Sequence, residues 1–358
     1  MSQPTTRRPG LSRWDPLTVG IDIGGTKVLG GVVDSSGRAL VRERRDTPGR
    51  DPAAVEDVVA DLVDRFAAEY EIHAVGIGAA GFVDASRSKV LFSPHLAWRD
   101  EPVRDALMSR LRVPVVVDND ANAAALAESK YGAGAGHRFV LCVTLGTGIG
   151  GALVMDNRVY RGANGMAGEF GHMQVVPDGH RCQCGNRGCW EEYASGNALV
   201  RDARELVLND SPVAHHLREL GGADASGLTG PLITEAARNG DPLAAELLAD
   251  MGRWLGVGLA NMTAAFDPGC IVVGGGVSEA GGLLLEPTRE AFSRQLVGRG
   301  YRAEPPIQAA ALGPDAGFIG AAEMARSAAR RSRRTSRRSS RLRRARAARW
   351  RARLDDRA

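Results

Sequence analysis

Two glycine-rich turns, Gly24-Gly25-Thr26-Lys27 and Gly146-Thr147-Gly148, interrupt apolar runs, and the pattern around them repeats. Residues 17–23 and 28–33 read as strands on either side of the first turn, and 139–145 and 151–155 do the same around the second. A further turn follows each pair, Asp34-Ser35-Ser36-Gly37 or Asp156-Asn157, and then a third strand at 38–46 or 159–161. After the first set, Asp51-Pro52 supplies an N-cap and a proline at the first helical position. Val55, Val59, Leu62 and Phe66 then recur at helical spacing, and strands at 74–78 and 114–117 flank a helix at 103–111. After the second set, helices are expected at 192–208, 241–265 and 283–296, with a strand at 270–273. Two related α/β halves are the expected outcome, and a cleft between two halves is where ligands collect.

The formal net charge of +4 averages two unlike pieces. From Arg326 onward the chain carries 15 Arg and two Asp, a net of +13, which leaves −9 for residues 1–325. Basicity is therefore a property of the tail, and no argument for nucleic-acid binding extends to the body. The N-terminal residues are polar and lack a signal-peptide apolar core, and no apolar run approaches the roughly 18 residues of a membrane span. Of five cysteines, three cluster at 182, 184 and 189. An odd count with one tight cluster suits a reducing, cytoplasmic setting and a metal site better than disulfides.

Several motifs could carry chemistry. In Asp22-Ile23-Gly24-Gly25-Thr26-Lys27 the glycines let backbone approach a bound group, and Thr26 offers a hydroxyl and N–H groups to phosphate. Asp22 suits a Mg²⁺ that keeps most of its waters. A tight hairpin with solvated Asp22 and Lys27 explains the same residues. The run Gly146-Thr147-Gly148-Ile149-Gly150-Gly151 contains the dinucleotide fingerprint G-x-G-x-x-G, but that fingerprint opens a helix. Here a strand follows, so a hairpin is predicted and a Rossmann site excluded. No G-x-x-x-x-G-K-[ST] occurs, so this is no P-loop enzyme. In Asp118-Asn119-Asp120-Ala121-Asn122, between a strand and a helix, local sequence favours helix capping, with Asp120 as a proton acceptor the sharper alternative.

Cys182-Gln183-Cys184-Gly185-Asn186-Arg187-Gly188-Cys189 places three thiols within eight positions, the pattern of tetrahedral Zn²⁺ ligands. His172, in Gly168-Glu169-Phe170-Gly171-His172, and His180 compete for the fourth position. A Cys₃His shell is full, so such a zinc would be structural. Glu169 and Glu191 flank the cluster and could accept hydrogen bonds from hydroxyl groups. Gly274-Gly275-Gly276, after an apolar strand, could let a flat base lie against backbone.

Taken in order, these motifs resemble the repressor, open-reading-frame and kinase family, in particular its bacterial glucokinases, over about residues 17–325. The resemblance implies an actin-like, sugar kinase/ribonuclease H-like α/β fold of two domains with an interdomain cleft. The expected layout is a disordered N-terminus at 1–16, a small α/β domain at 17–118 completed by a helix near 314–326, a large α/β domain at 119–313 with a zinc-bound sugar loop, and an Arg-rich disordered tail at 327–358. It further implies ATP-dependent transfer of phosphate to the 6-hydroxyl of a hexose, glucose first. Asp120 would be the base. Gly81, Asn119, Asp120, Glu169, His172 and Glu191 would hold the sugar. His172, Cys182, Cys184 and Cys189 would bind zinc. Asp22, Gly24, Gly25, Thr26, Lys27, Thr147 and Gly148 would face the phosphates and Mg²⁺, and Gly274, Gly275 and Gly276 the adenosine. Family members commonly form dimers or tetramers, so a homo-oligomer is expected.

The Arg-rich tail is outside the family pattern. Its charge could attract nucleic acid or another polyanion, although a solvated extension is the commoner role of such runs. Within the enzyme class, N-acetylhexosamine kinase, fructokinase and polyphosphate glucokinase share the same motifs. A sugar-responsive regulator would need a helix-turn-helix domain, for which the 16 residues before the first strand are too few.

Overall fold

The computed structural model describes residues 16–49, 51–93 and 96–333. The expectations for 1–15 and for 334–358 lie outside the described residues. The chain divides into two compact units, Met1–Asp120 with Ala321–Ala358, and Ala121–Gly320.

In the first unit, β1 (Leu17–Ile23), β2 (Lys27–Val33) and β3 (Ala39–Asp46) form an antiparallel meander. Helix α1 (Pro52–Glu69) then starts where Asp51 accepts hydrogen bonds from the N–H groups of Ala53 and Ala54. It buries Val55, Val59, Leu62, Val63 and Phe66 against the sheet. Strands β4 (Ile72–Ala79) and β8 (Val115–Asn119) add parallel to β1, giving the order β3-β2-β1-β4-β8. Between them lie a small antiparallel sheet, β5 (Phe82–Val83), β6 (Val90–Phe92) and β7 (Arg99–Glu101), and α2 (Val103–Arg110). The small sheet has no counterpart in the sequence reading, because strands of two or three residues are too short to show alternation.

Residues 316–333 are helical, so the first seven residues of the expected disordered tail, 327–333, continue a helix. Arg326, which composition groups with the tail, is fully buried. Its guanidinium pairs with Glu323 at 2.7 Å and donates to the Thr18 hydroxyl (2.7 Å) and the Val33 carbonyl (2.6 Å). Those bonds satisfy a charge that burial would otherwise make costly. The same helix lies close on β4: a Cβ added at Gly76 would fall 1.9 Å from the Ala321 carbonyl oxygen, which is rigid backbone. Gly76→Ala should therefore lower the unfolding free energy of this unit by about 3 kcal/mol, the upper end for an overpacked core. Urea denaturation checks this, and a loss under about 1 kcal/mol would contradict so tight a contact.

The chain leaves the first unit within α3 (Asp120–Tyr131), between Asp120 and Ala121. The second unit repeats the meander with β9 (Phe139–Leu145), β10 (Ile149–Met155) and β11 (Arg158–Tyr160). Helices α4 (Glu191–Ala194), α5 (Gly196–Leu208), α6 (His215–Gly221), α7 (Gly230–Arg238) and α8 (Pro242–Phe266) follow. Then come β12 (Cys270–Gly274), α9 (Gly282–Gln295) and β13 (Ile307–Ala309). The sheet order, β11-β10-β9-β12-β13, is that of the first unit, with β12 parallel to β9 and β13. The single helix expected at 192–208 is broken at Ser195, whose extended backbone and hydroxyl cap α5 by accepting the N–H of Ala198. Among the described residues no helix is long and apolar enough to cross a membrane.

Candidate functional site

In the first unit the parallel strands β1, β4 and β8 end together, at Ile23, Ala79 and Asn119. The loops leaving that carboxyl edge carry the residues singled out in the sequence, as the general rule for α/β sheets predicts. Asp22, Gly78 and Asp118 stand in one row across the three strands. The turn 24–27 closes as a hairpin, with the Gly24 N–H donating to the Lys27 carbonyl at 2.9 Å. The Thr47 hydroxyl holds the turn from outside by donating to the Gly24 carbonyl, also at 2.9 Å. Burial and the repulsion of Asp120, opposed by Lys27, push the Asp22 carboxyl up to about 7. Two carboxylates are thus brought close enough to compete for charge, a placement favourable to a cation.

Asn119 ends β8 and Asp120 begins α3. The Asn119 side-chain amide donates both to Asp120 Oδ1 (2.9 Å) and to the Gly81 carbonyl (3.1 Å). Gly81 has a positive φ, and a Cβ there would sit 2.4 Å from the Phe92 carbonyl oxygen, so only glycine brings this backbone so near. Gly81, Asn119 and Asp120 are therefore one hydrogen-bonded group.

The second unit presents the other set. The 146–148 turn joins β9 to β10 as an antiparallel hairpin, which removes the dinucleotide reading of this glycine run. The Gly146 N–H donates to the Gly148 carbonyl (3.0 Å), and the Gly146 carbonyl accepts the N–H of Gly196 at the start of α5 (2.9 Å). Gly275 follows β12 with φ +88°, and a Cβ there would meet the Leu145 carbonyl oxygen at 2.3 Å. Gly274 pairs with Thr144, so Gly274, Gly275 and Gly276 and the Thr147-Gly148 turn leave the same carboxyl edge of this sheet.

Glu191, at the head of α4, ties the hairpin to the cysteine loop. Its Oε2 accepts the N–H of Ile149 (3.3 Å), and its Oε1 lies 3.2 Å from His172 Nδ1 and accepts from the Cys182 thiol at 3.2 Å. The hydrogen bond to Glu191 pushes His172 up to about 9, against the effect of burial. Burial opposes ionisation of Glu191, yet its bonds from His172 and Cys182 hold it below its ordinary value. Glu169 is exposed and immediately precedes the short turn Phe170–His172.

His172, Cys182, Cys184 and Cys189 place their donor atoms within 4.8 Å of one another. Cys182 Sγ is 3.6 Å from His172 Nδ1, and Cys184 Sγ is 3.6 Å from Cys189 Sγ. A tetrahedral ion with ordinary metal–sulfur and metal–imidazole bonds has donor–donor edges of about 3.5–3.8 Å, so four ligands fit one ion here. His180, the competing ligand, is exposed and packs its ring on Tyr193 with centroids 5.2 Å apart, outside this group. The loop is anchored below by Trp190, fully buried, whose indole N–H donates to the Trp254 carbonyl at 2.8 Å.

The sequence pattern of the ROK family matches residues 18–328. The chain belongs to the ROK family. A Streptomyces coelicolor glucokinase of the curated relatives is 47% identical over 310 residues, 87% of this chain and 98% of its own. Among solved structures, a ROK family glucokinase from Streptomyces griseus, in complex with glucose and AMPPNP, is 48% identical. It superposes with a TM-score of 0.77, covering 87% of this chain and 99% of that one. A ROK hexokinase from Thermus thermophilus is 36% identical with a TM-score of 0.75, covering 88% and 99%. These ROK relatives have the actin-like two-domain fold, and the mixed α/β units described above are of that class.

Two features of this ROK chain escaped the sequence reading. Glu191 is a direct neighbour of the cysteine cluster as well as a flanking acid. Asp118, taken as a capping candidate, instead pairs with Arg87 at 3.0 Å. The Asp118 contact has no local sequence signal, because Arg87 comes from the β5–β6 turn and Asp118 from β8.

Proposed function

We propose that this protein transfers the γ-phosphate of ATP to the 6-hydroxyl of a hexose, with glucose the preferred acceptor. The observation that carries the reading is the Gly81–Asn119–Asp120 group, which sets a carboxylate at a helix start beside a polar, glycine-lined backbone. The complex of the Streptomyces griseus relative with glucose and AMPPNP supports the choice of sugar and donor.

In the proposed reaction Asp120 accepts the proton of the 6-hydroxyl as that oxygen bonds to the γ-phosphorus. The bond from the γ-phosphorus to the β–γ bridging oxygen breaks, and ADP leaves. Such transfers depend mainly on positioning and charge stabilisation. Gly25, Thr26, Thr147 and Gly148 offer backbone N–H groups and hydroxyls to the phosphates, Gly24 keeps the backbone bare enough for them to approach, and Lys27 offers a charge. Gly274, Gly275 and Gly276 lie along the adenosine. Asn119, Glu169, His172, Glu191 and the Gly81 backbone hold the ring hydroxyls.

Mg²⁺ fits beside Asp22, where two carboxylates otherwise repel, and when bound it neutralises phosphate charge. Zinc fits the Cys₃His donor set, whose soft thiolates and closed shell favour a structural ion. His172 would hold the ion through Nδ1, which lies on the side of Cys182, and would keep Nε2 for a sugar hydroxyl.

A coupled assay over glucose, mannose, fructose and N-acetylated hexoses, with ATP and polyphosphate as donors, tests this. The highest kcat/KM is expected for glucose with ATP. A tenfold preference for another pair would reassign the substrate, and no turnover with any would overturn the proposal.

A further inference from the structure

We infer that Arg87 and Asp118 are positioning residues, a partly buried ion pair at the β8–α3 junction that fixes the direction of the Asp120 carboxylate. The inference rests on the reading of Asp120 as the base. Among the described residues strand β8 is the edge of its sheet, with no strand on its outer side to hold it in register. Asn119 and Asp120 sit where such an edge frays most easily. Asp118 is 2% exposed, and both of its oxygens are engaged: Oδ1 accepts the Asn119 N–H (3.0 Å), and Oδ2 pairs with Arg87 Nε (3.0 Å). Arg87 Nε also reaches the Val117 carbonyl at 3.4 Å, a weak bond in place of a missing strand. One guanidinium thus grips β8 by backbone and side chain just before the functional residues.

Arg87 is itself held in place. Its φ is +60°, an uncommon conformation for a residue with a side chain. The turn around it is wound on the Asp84 carboxylate, which accepts the N–H groups of Ser86 (3.3 Å), Ser88 (2.7 Å) and Lys89 (2.8 Å). Although burial opposes it, those bonds and the serine hydroxyls hold Asp84 well below the usual carboxylate range. The Arg87 N–H donates to the Asp84 carbonyl at 2.9 Å. These hydrogen bonds close the turn between β5 and β6 and hold Arg87 where its side chain reaches Asp118. Arg87 also offsets the Asp118 charge where Asp22 and Asp120 already repel.

The test is steady-state kinetics of Arg87→Gln, Arg87→Lys and Asp118→Asn, each alone and combined with Asp120→Asn. With Asp120 present, Arg87→Gln and Asp118→Asn should lower kcat about 10- to 100-fold, the effect of misplacing a reacting group by about an ångström, with the KM for ATP within about twofold. Arg87→Lys should recover part of the loss. In the Asp120→Asn background the same changes should cost under about twofold, because the group they position is gone. An equal fold-loss in both backgrounds, or a lowered Tm with unchanged kcat per folded site, would overturn the inference. If Arg87→Gln does not accumulate, the nearly isosteric Asp118→Asn decides on the same criteria. Should Asp120→Asn alone keep more than about one hundredth of kcat, the base assignment fails, and that result is separate from anything Arg87 does.

Discussion

Replacing Asp120 with asparagine should lower kcat for hexose phosphorylation at least about 100-fold while sugar affinity stays within a few-fold of wild type. The change removes a proton acceptor and about 2.7 kcal/mol or more of transition-state stabilisation, yet it keeps the shape of the side chain. Asn119 donates to Asp120 Oδ1, and an asparagine oxygen can still accept that bond, so the Gly81–Asn119 link should survive. The loss should therefore fall on kcat and spare binding. Equilibrium binding of glucose, by calorimetry or intrinsic fluorescence, separates the two. A variant that loses sugar affinity in proportion to its activity would place Asp120 among the binding groups and leave the base unidentified.

Cys184→Ala should remove zinc from a protein that otherwise carries about one ion per chain. Cys184 is the exposed member of the cluster, so truncation leaves no cavity in the core, and any effect reports on the metal. Zinc affinity should fall by at least about 100-fold, beyond the cost of losing an outer-shell partner. His172 and Glu191 are both braced by this loop, so the KM for glucose should rise together with metal loss while the KM for ATP stays nearly constant. Metal analysis after dialysis against chelator, paired with kinetics, checks both. A wild-type protein that is fully active without zinc would remove zinc from the account.

Local features of this site were legible in the sequence, and non-local ones were not. The turns at 24–27 and 146–148 were readable because glycine between two apolar runs has few alternatives, and both close as hairpins. The grouping of Cys182, Cys184 and Cys189 was legible too, because residues so near in sequence are readily brought together in one loop. The choice between His172 and His180 could not be made from spacing, since both lie within reach; it took the fold to set one beside the thiols and the other on Tyr193. The charge count grouped Arg326 with the tail because composition counts charge without seeing its partners, and Thr18, Val33 and Glu323 come together only in the folded unit. The Arg87–Asp118 pair was hidden in the same way, its residues separated by a small sheet too short to show a pattern.

The most direct test is phosphorus-31 NMR of the product formed from glucose and ATP by the purified full-length chain. The account predicts a single new phosphate ester coupled to the two protons on carbon 6, appearing in step with ADP. Release of inorganic phosphate without an ester, or an ester at another carbon, would contradict it.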